Sequence, residues 1–403
     1  MLFTPERHEP LTDRPFTEAG ARAAIARIAG RAEADLDRAD GRWPLDREDA
    51  DSEEEGPASA VYHGAAGIAW ALGELADTGY CSPDIVDREQ VESLEAKLAA
   101  EPDPFDYAAN GVWFGPAGTL AVAEHRWPDA SRRDRLFELA RASLTDPALD
   151  IMFGHPGYMA LAAELHARAG EERWAEFWAD GAERLFDEWW YDEALGVWAW
   201  TQRFGEKDAR YLGAAHGLVG NLHVLLRGGD LLGADRRSEV ERRAVETLTR
   251  LAVVEDGRAN WSTDVGESLV ANDRIRVQWC HGAAGVMSTL AKIASADEEW
   301  GELLLAGGRL VWEAGPIRDA PGLCHGTAGN AYALLALWER TKNEQWLDRA
   351  RAFAQHAALQ AEARAARLGH GWHSLFTGDE GVAMALASCI EADAVFPVAD
   401  RLI

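Results

Sequence analysis

A short motif with two glycines recurs seven times along the chain and constrains the fold more than any other feature. Each copy reads Gly-x-x-Gly and is followed by residues that are mostly Ala, Leu, Val and Ile. The seven pairs are Gly64/Gly67, Gly115/Gly118, Gly154/Gly157, Gly217/Gly220, Gly282/Gly285, Gly326/Gly329 and Gly378/Gly381. The copies lie about 40 to 65 residues apart, which is the length of a helical hairpin plus a loop.

Each copy predicts a tight turn at the start of a buried helix. Glycines permit close backbone approach, and a helix that is apolar on most sides must be buried. Between the copies lie Arg- and Glu-rich segments, such as residues 131–143 and 236–251, whose single apolar stripe indicates solvent-facing helices. We therefore expect an all-α fold, an α/α toroid of about seven inner and seven outer helices, with the seven turns at one end.

A linear solenoid of helical hairpins is the alternative to a closed ring. The ring is favoured because distinct capping repeats are not obvious and because the unusual residues cluster at the turns. We expect residues 1–403 to form one toroid domain, with residues 1–55 as an N-terminal helix plus an acidic loop. The acidic cluster at residues 49–55 is expected to lie exposed in that loop.

Two segments depart from the helical pattern, at residues 188–201 and 258–262. Their Trp, Val and Thr content predicts short hairpins or ordered loops over the mouth of the ring. Four tryptophans in the first segment form either a lid or part of the core. They are Trp189, Trp190, Trp198 and Trp200.

Composition and charge narrow the class of protein. The chain has 403 residues, of which 47% are apolar, and no apolar run approaches the roughly 20 residues of a membrane span. A net charge of −28 argues against nucleic acid or an anionic membrane as partner. Only four cysteines occur, which favours a reducing compartment. We expect a soluble, cytoplasmic protein.

Two of the four cysteines are followed by histidine, in Cys280-His281 and Cys324-His325, at the same place in the fifth and sixth motif copies. If the turns share one face, Cys280, Cys324 and His325 form a three-ligand set for Zn²⁺ with one position open, as in catalytic zinc sites. The alternative is two buried cysteines that pack at helix starts. A sulfur-rich zinc site favours transfer of a thiolate to an electrophile over activation of water.

Three runs of residues carry a resemblance to a known family. Arg276-Val-Gln-Trp-Cys280-His281-Gly282, Gly322-Leu-Cys324-His325-Gly326 and Ala214-Ala-His216-Gly217-Leu218 together resemble the lanthionine synthetase C-like family. The resemblance covers the whole chain, because all seven glycine pairs are present. The residues of these motifs are closer to those of the eukaryotic-type branch, which is similar to glutathione-binding proteins.

The resemblance implies a toroid in which Cys280, Cys324 and His325 hold Zn²⁺. It also implies an enzyme that adds the thiol of Cys or glutathione to dehydroalanine or dehydrobutyrine and so forms a thioether. By the same resemblance, His216 is the general acid/base, Arg276 stabilises charge on the carbonyl oxygen, and Asp150 orients His216. The partners would be a dehydrated peptide or protein and glutathione.

Other interpretations stay open at this stage. His216 has a structural alternative as a hydrogen-bonded helix-start residue, and Arg276 and Asp150 have one as salt-bridge partners. The whole protein has two alternatives: a non-catalytic protein that binds zinc or glutathione, and a carbohydrate-active toroid with paired carboxylates. In the latter the Cys-His pairs have no role. His281 is expected to be a neighbour of the metal ligands or a proton carrier.

Overall fold

The computed structural model describes residues 1–50, 56–103, 110–293 and 298–402. Within these ranges fourteen α-helices alternate between an inner and an outer ring. The inner helices are α2 (Ala65–Asp77), α4 (Pro116–Arg126), α6 (His155–Ala169), α8 (Leu218–Arg227), α10 (Ala283–Leu290), α12 (Thr327–Thr341) and α14 (Asp379–Glu391). The outer helices are α1 (Glu18–Asp35), α3 (Arg88–Ala100), α5 (Ala130–Ser143), α7 (Glu172–Asp187), α9 (Ala234–Leu251), α11 (Glu298–Ala314) and α13 (Glu344–Leu368). The predicted α/α toroid is confirmed.

The ring closes between its first and last inner helices. Helix α14 packs against α2, and the outer helix α1 packs on α14, so the two ends of the chain complete one circle. Inner helices α8, α10 and α12 follow each other around the same circle. The linear solenoid is therefore excluded. Of the helices that the structure describes, none combines the length and the apolar character that a membrane span requires.

The second glycine of each motif is needed for close backbone packing. A Cβ atom at any of these seven positions would lie between 1.9 Å and 2.4 Å from the carbonyl oxygen six residues earlier, the extremes being Gly329 and Gly220. The first glycine of the motif is mostly in an extended conformation. Only Gly217 (φ 109°) and Gly282 (φ 104°) lie in the left-handed region that favours glycine.

Four antiparallel hairpins lie between α7 and α10. They are formed by β1 (Trp190–Asp192) with β2 (Val197–Ala199), β3 (Gln202–Phe204) with β4 (Lys207–Ala209), β5 (Val253–Glu255) with β6 (Arg258–Asn260), and β7 (Val270–Ala271) with β8 (Arg274–Ile275). Trp190 pairs with Ala199 and Val253 pairs with Asn260. Of the two segments expected to form hairpins or ordered loops, the first contains the β1–β2 hairpin, and the second supplies strand β6 of the β5–β6 hairpin.

The tryptophans of the first hairpin pack mainly against the body of the ring. Trp189 and Trp200 are buried and stacked on each other, with ring centroids 4.4 Å apart. Trp198 lies under the guanidinium group of Arg243 on the outer helix α9, 3.6 Å from its ring centroid. Only Trp190 is exposed. Of the two interpretations offered for these rings, the structure therefore favours the core.

The acidic segment after α1 is not wholly exposed, which corrects the expectation for Asp49. The Asp49 side chain is buried, and its Oδ2 accepts hydrogen bonds from Trp372 Nε1 (2.6 Å) and Thr377 Oγ1 (2.7 Å). Both partners belong to the last turn of the ring, more than 320 positions away in sequence. Residues 51–55 of the predicted acidic loop lie outside the described residues.

Candidate metal centre

The seven turns that lead into the inner helices place two positions of each motif at one end of the ring, here called the mouth. The residue directly before the first glycine is His63, Phe114, Phe153, His216, His281, His325 or Thr377 in chain order. The residue before that is Tyr62, Trp113, Met152, Ala215, Cys280, Cys324 or Phe376. The turns are numbered first to seventh in this order.

Backbone hydrogen bonds join neighbouring turns side by side. The N–H of Cys280 donates to the carbonyl of Cys324 (3.0 Å), and the N–H of Cys324 donates to the carbonyl of Phe376 (2.9 Å). The N–H of Phe376 in turn donates to the carbonyl of Tyr62 (3.4 Å) across the closure of the ring. This ladder brings Cys280 and Cys324 together although 44 residues separate them in sequence.

Cys280, Cys324 and His325 each offer one ligand atom, and these atoms all lie within 4.8 Å of one another. Both cysteines are buried. A tetrahedral zinc ion with Zn–S bonds of about 2.3 Å holds two sulfur ligands roughly 3.8 Å apart, so the donor set fits zinc with a fourth position left for another group. The structure thus brings together the three residues that the sequence singled out as ligands.

Hydrogen bonds and burial shift the pKa values of the two thiols in opposite directions. Gln278 Nε2 donates to Cys280 Sγ (2.9 Å), and the hydroxyl of Tyr62 is hydrogen-bonded to Cys324. The hydrogen bond with Cys324 lowers the pKa of the Cys280 thiol to about 7, although burial acts in the opposite direction. The same hydrogen bond, and then burial, raise the pKa of the Cys324 thiol.

The histidine of the donor set is in the form that binds metals. Burial lowers the pKa of His325, so the imidazole is neutral at physiological pH. A neutral imidazole keeps a lone pair for coordination.

His216 and Asp150 form a fixed pair at the fourth turn. His216 Nδ1 lies 3.0 Å from Asp150 Oδ2, and the carboxylate is fully buried. Asp150 Oδ1 accepts the backbone N–H groups of Met152 (3.0 Å) and Phe153 (2.7 Å). The imidazole stacks on the ring of Phe153, with centroids 4.9 Å apart. The carboxylate therefore fixes the orientation of the imidazole, and Nε2 is left as the nitrogen that faces away from Asp150.

Arg276 lies near these groups without a carboxylate partner in the part of the chain that the structure describes. Its Nη1 donates to Thr263 Oγ1 and to the carbonyl of Ala271, each at 3.3 Å. Hydrogen bonds and burial have the largest effects on the pKa of Cys280. The charges of His216 and Arg276 come next in size, and both lower this pKa because they favour the thiolate. The salt-bridge interpretation of Arg276 is therefore not what the structure shows.

Several residues of the site were not singled out from the sequence. Tyr211 has its ring centroid 6.0 Å from that of His216 and 5.7 Å from that of His281. Gln278 and Tyr62 contact the two sulfur atoms, as described above. Gln278 lies two residues before Cys280, and Tyr62 holds the position of the two cysteines in the first turn. The repeat register was the available signal for Tyr62.

His281, which follows the ligand Cys280, is a neighbour of the metal ligands. Burial, followed by the charges of His216 and Arg276, lowers the pKa of His281 well below its ordinary value. The imidazole is therefore neutral, and its ring lies 6.1 Å from that of His216, next to the site.

Cys81 and Cys389 are free thiols outside the donor set. Burial raises the pKa of Cys81 to about 11 and that of Cys389 to about 12.

Comparison with known proteins gives one family and several relatives. Residues 58–400 match the family described as lanthionine synthetase C-like protein. The chain is 32% identical over 209 residues to the Danio rerio protein named glutathione S-transferase LANCL1, covering 51% of this chain and 48% of that protein. It is 33% identical over 157 residues to the Arabidopsis thaliana LanC-like protein GCL1, covering 38% and 34%. The matches span about half the length of these curated relatives, or less.

Among solved structures, nisin cyclase shares the architecture. The two structures superpose with a TM-score of 0.61 over 92% of this chain and 93% of that one, at 14% sequence identity. At this level of identity the likeness establishes the fold.

Proposed function

Because the chain belongs to the lanthionine synthetase C-like family, we propose that it is a zinc-dependent enzyme that forms thioethers. It adds the thiol of cysteine or glutathione to a dehydroalanine or dehydrobutyrine residue of a dehydrated peptide or protein. The observation that supports this most strongly is the convergence of Cys280, Cys324 and His325 at the mouth of the ring, near the His216–Asp150 pair. The four free thiols suit a reducing compartment, so we place the enzyme in the cytoplasm.

The donor set decides which chemistry the site favours. When held by Cys280, Cys324 and His325, zinc supplies the Lewis acidity that lowers the pKa of an incoming thiol. Two thiolate donors offset the charge of the metal, so the environment remains electron-rich and an incoming sulfur remains nucleophilic. Gln278 fixes the position of Cys280 Sγ through its amide N–H.

The protein groups around the metal centre carry the rest of the reaction. Attack of sulfur on the β-carbon leaves negative charge on the α-carbon and on the adjacent carbonyl oxygen. The guanidinium group of Arg276 stabilises the charge on that oxygen. His216, held at Nδ1 by Asp150, donates a proton from Nε2 to the α-carbon.

Aromatic rings pack against one side of His216. Phe153 stacks on the imidazole, and Phe204 of strand β3 packs edge-on against Phe153 at 5.6 Å. Exclusion of water strengthens the electrostatic interactions of the site and limits unwanted proton exchange. The hairpin β3–β4 therefore contributes to the site although it is far from the metal ligands in sequence.

The test is turnover of a dehydroalanine-containing peptide with glutathione, followed by mass spectrometry of the product. We expect wild-type protein loaded with zinc to form the glutathione adduct. His216→Gln should slow the reaction by about 10²- to 10⁴-fold, the usual contribution of a general acid. A protein that binds zinc and glutathione but forms no adduct would instead be the non-catalytic binding protein.

A matched control is available at the other end of the ring. His125 Nε2 lies 2.8 Å from Glu74 Oε1, near the C-terminal ends of α4 and α2 and therefore away from the mouth. His125→Gln removes an imidazole–carboxylate pair of the same type. Its turnover should equal that of the wild type.

A further inference from the structure

The mouth contains a second imidazole–carboxylate pair that the proposed reaction does not use. His63 occupies the same motif position as His216, directly before the first glycine of its turn. Its Nδ1 lies 3.4 Å from Asp49 Oδ1, so the same ring nitrogen faces a buried carboxylate in both pairs. The His63 side chain is 11% exposed and that of Asp49 is 3% exposed.

The Asp49 carboxylate is held from two directions. Trp372 Nε1 and Thr377 Oγ1 both donate to Oδ2, while His63 faces Oδ1. Burial by itself would raise the pKa of the Asp49 carboxyl. The hydrogen bond and charge of His63, followed by the hydrogen bonds from Trp372 and Thr377, outweigh burial and lower that pKa. A buried, ionised and immobile carboxylate is what fixes the tautomer and orientation of a histidine that transfers protons.

The two pairs flank the metal centre on different sides. After burial, the charges of Asp49 and His63 are the largest influences on the pKa of His325. The charges of His216 and Arg276 act instead on Cys280. Tyr62, whose ring meets that of His63 edge-on at 4.4 Å, is hydrogen-bonded to Cys324. The pair His63–Asp49 therefore lies on the Cys324–His325 side, and His216–Asp150 on the Cys280 side.

Addition of a thiol to a double bond requires two proton transfers in opposite directions. The thiol must lose its proton before sulfur attacks, and the α-carbon must gain one afterwards. We propose that His63, oriented by Asp49, accepts the thiol proton at Nε2, while His216 donates the proton to the α-carbon. This inference rests on the proposed function and assigns a second proton-transfer group to the same site.

The step balances without a further reactant. The S–H bond breaks with its proton passing to His63, the C–S bond forms at the β-carbon, and the electron pair of the double bond becomes the C–H bond at the α-carbon. His63 then returns its proton to solvent, and His216 takes one from solvent. The net change is addition of the thiol across the double bond. Besides Asp49, the titratable groups His325 and Asp103 interact electrostatically with His63.

Two thiols of similar size and different acidity test the assignment. Benzyl mercaptan is protonated at neutral pH, whereas thiophenol is largely ionised and does not need a proton acceptor. With benzyl mercaptan, we expect His63→Gln to slow addition to the dehydroalanine peptide by about 100-fold. With thiophenol, the loss should be under about 10-fold after subtraction of the uncatalysed rate. His216→Gln should lose the same factor with both thiols, because protonation of the α-carbon follows attack in either case.

The outcomes separate the two proposals. Equal losses for His63→Gln with both thiols, or no loss, would overturn the role of His63 while the proposed function stands. Absence of addition by the wild type with glutathione as well as with both of these thiols would overturn the proposed function itself. Asp49→Asn keeps the imidazole and removes the orienting charge, so it should show the same thiol dependence in weaker form, with His125→Gln unaffected.

A binding measurement provides a second readout that does not depend on turnover. Glutathione is titrated calorimetrically into zinc-loaded protein in two buffers of different ionisation enthalpy, which counts the protons released. The wild type should release fewer protons than His63→Gln, because His63 retains the thiol proton. Equal proton release with equal zinc content in the two proteins would contradict the proposal.

Discussion

The sixth and seventh turns share a backbone but hold their ionisable groups in opposite ways. In both turns the second glycine of the motif lies against the carbonyl of the residue six positions earlier, Gly329 against Leu323 and Gly381 against Leu375. Both turns start an inner helix, α12 and α14 respectively. The difference between them therefore lies in the side chains and in what packs behind each turn.

In the seventh turn the charged groups satisfy one another. His373 Nδ1 lies 3.0 Å from Glu380 Oε1, and its Nε2 lies 2.9 Å from Asp35 Oδ2 on the outer helix α1. Asp379 is paired with Arg31 of the same helix at 3.1 Å. Burial opposes the charged imidazole, but these carboxylates outweigh it and raise the pKa of His373 to about 9.

In the sixth turn the ionisable groups face the mouth. His325 is kept neutral by burial, and Cys324 adjoins Cys280 of the fifth turn. One backbone design thus supports a closed ion cluster in one turn and an open donor set in its neighbour. The comparison indicates that Asp35 and Arg31 of helix α1 give the ionisable groups of the seventh turn a structural role. Among the described residues, α1 supplies no such partners to the sixth turn, so Cys324 and His325 are left for binding.

The largest expected difference concerns residues at equivalent positions, Cys324 and Phe376. Cys324→Ala should reduce the metal content from about one zinc per chain to near none and abolish turnover, because two ligands do not hold the ion. Phe376→Leu should keep the zinc and lose about 1 to 3 kcal/mol of stability through poorer packing against Trp113 and Tyr62. Metal analysis of both purified variants, with thermal unfolding, distinguishes them. Retention of zinc by Cys324→Ala would refute the ligand assignment.

The shared backbone predicts a stability loss of similar size in the two turns. A Cβ at Gly329 or Gly381 would lie 1.9 Å or 2.2 Å from a carbonyl oxygen, so the helix start must move. We expect Gly329→Ala and Gly381→Ala each to cost roughly 4 kcal/mol in the free energy of unfolding measured with urea.

Gly30 is the matched control for these glycines. It lies within helix α1, and the position that an alanine methyl group would take there has nothing within 4 Å, so Gly30→Ala should raise stability by about 1 kcal/mol. If Gly329→Ala changed the free energy of unfolding little and Gly30→Ala changed it strongly, the motif glycine would not be required for close approach of the carbonyl oxygen.

Because His373 is charged and His325 is neutral, the stability of the protein should depend on pH through the seventh turn. The pKa of His373 is raised from 6.5 to about 9, so its stabilisation is fully present below about pH 6.5 and is lost as the pH rises through 9. The loss should be on the order of 3 kcal/mol. His373→Gln should be less stable at pH 6.5 but should lack most of this decline, as urea unfolding at several pH values would show. An unchanged decline in the variant would assign it to other groups.

The smallest expected effect concerns the link between the seventh turn and Asp49. Thr377→Val removes the hydroxyl that donates to Asp49 Oδ2 but keeps the shape of the side chain and the bond from Trp372. We expect a loss of about 1 kcal/mol in urea unfolding. Thr145→Val, at an exposed hydroxyl bonded to Ala142, should change stability by less than about 0.5 kcal/mol. Equal effects at both sites would mean that the buried hydrogen bond contributes nothing specific.

The predictable part of the site follows from the repeat. The glycine register identified Cys280, Cys324 and His325 as residues at equivalent turns, and the family resemblance suggested that Asp150 orients His216. The structure places that pair 3.0 Å apart. The register also placed His63 at the position of His216, but its partner was not predictable. Asp49 lies in a strongly acidic run, which by composition alone indicates an exposed loop.

The local sequence determined the number of inner helices, where each begins, and which residues stand at the turns. These features depend on steric contacts within a few residues, such as the glycine that admits a carbonyl oxygen. Tertiary structure decided which turns are neighbours and which distant groups meet. Trp372 and Thr377 reach Asp49, and the turn of Phe376 joins that of Tyr62, only because α14 packs against α2. Closure of the ring depends on the packing of the whole core, so no single stretch of the chain specifies these contacts.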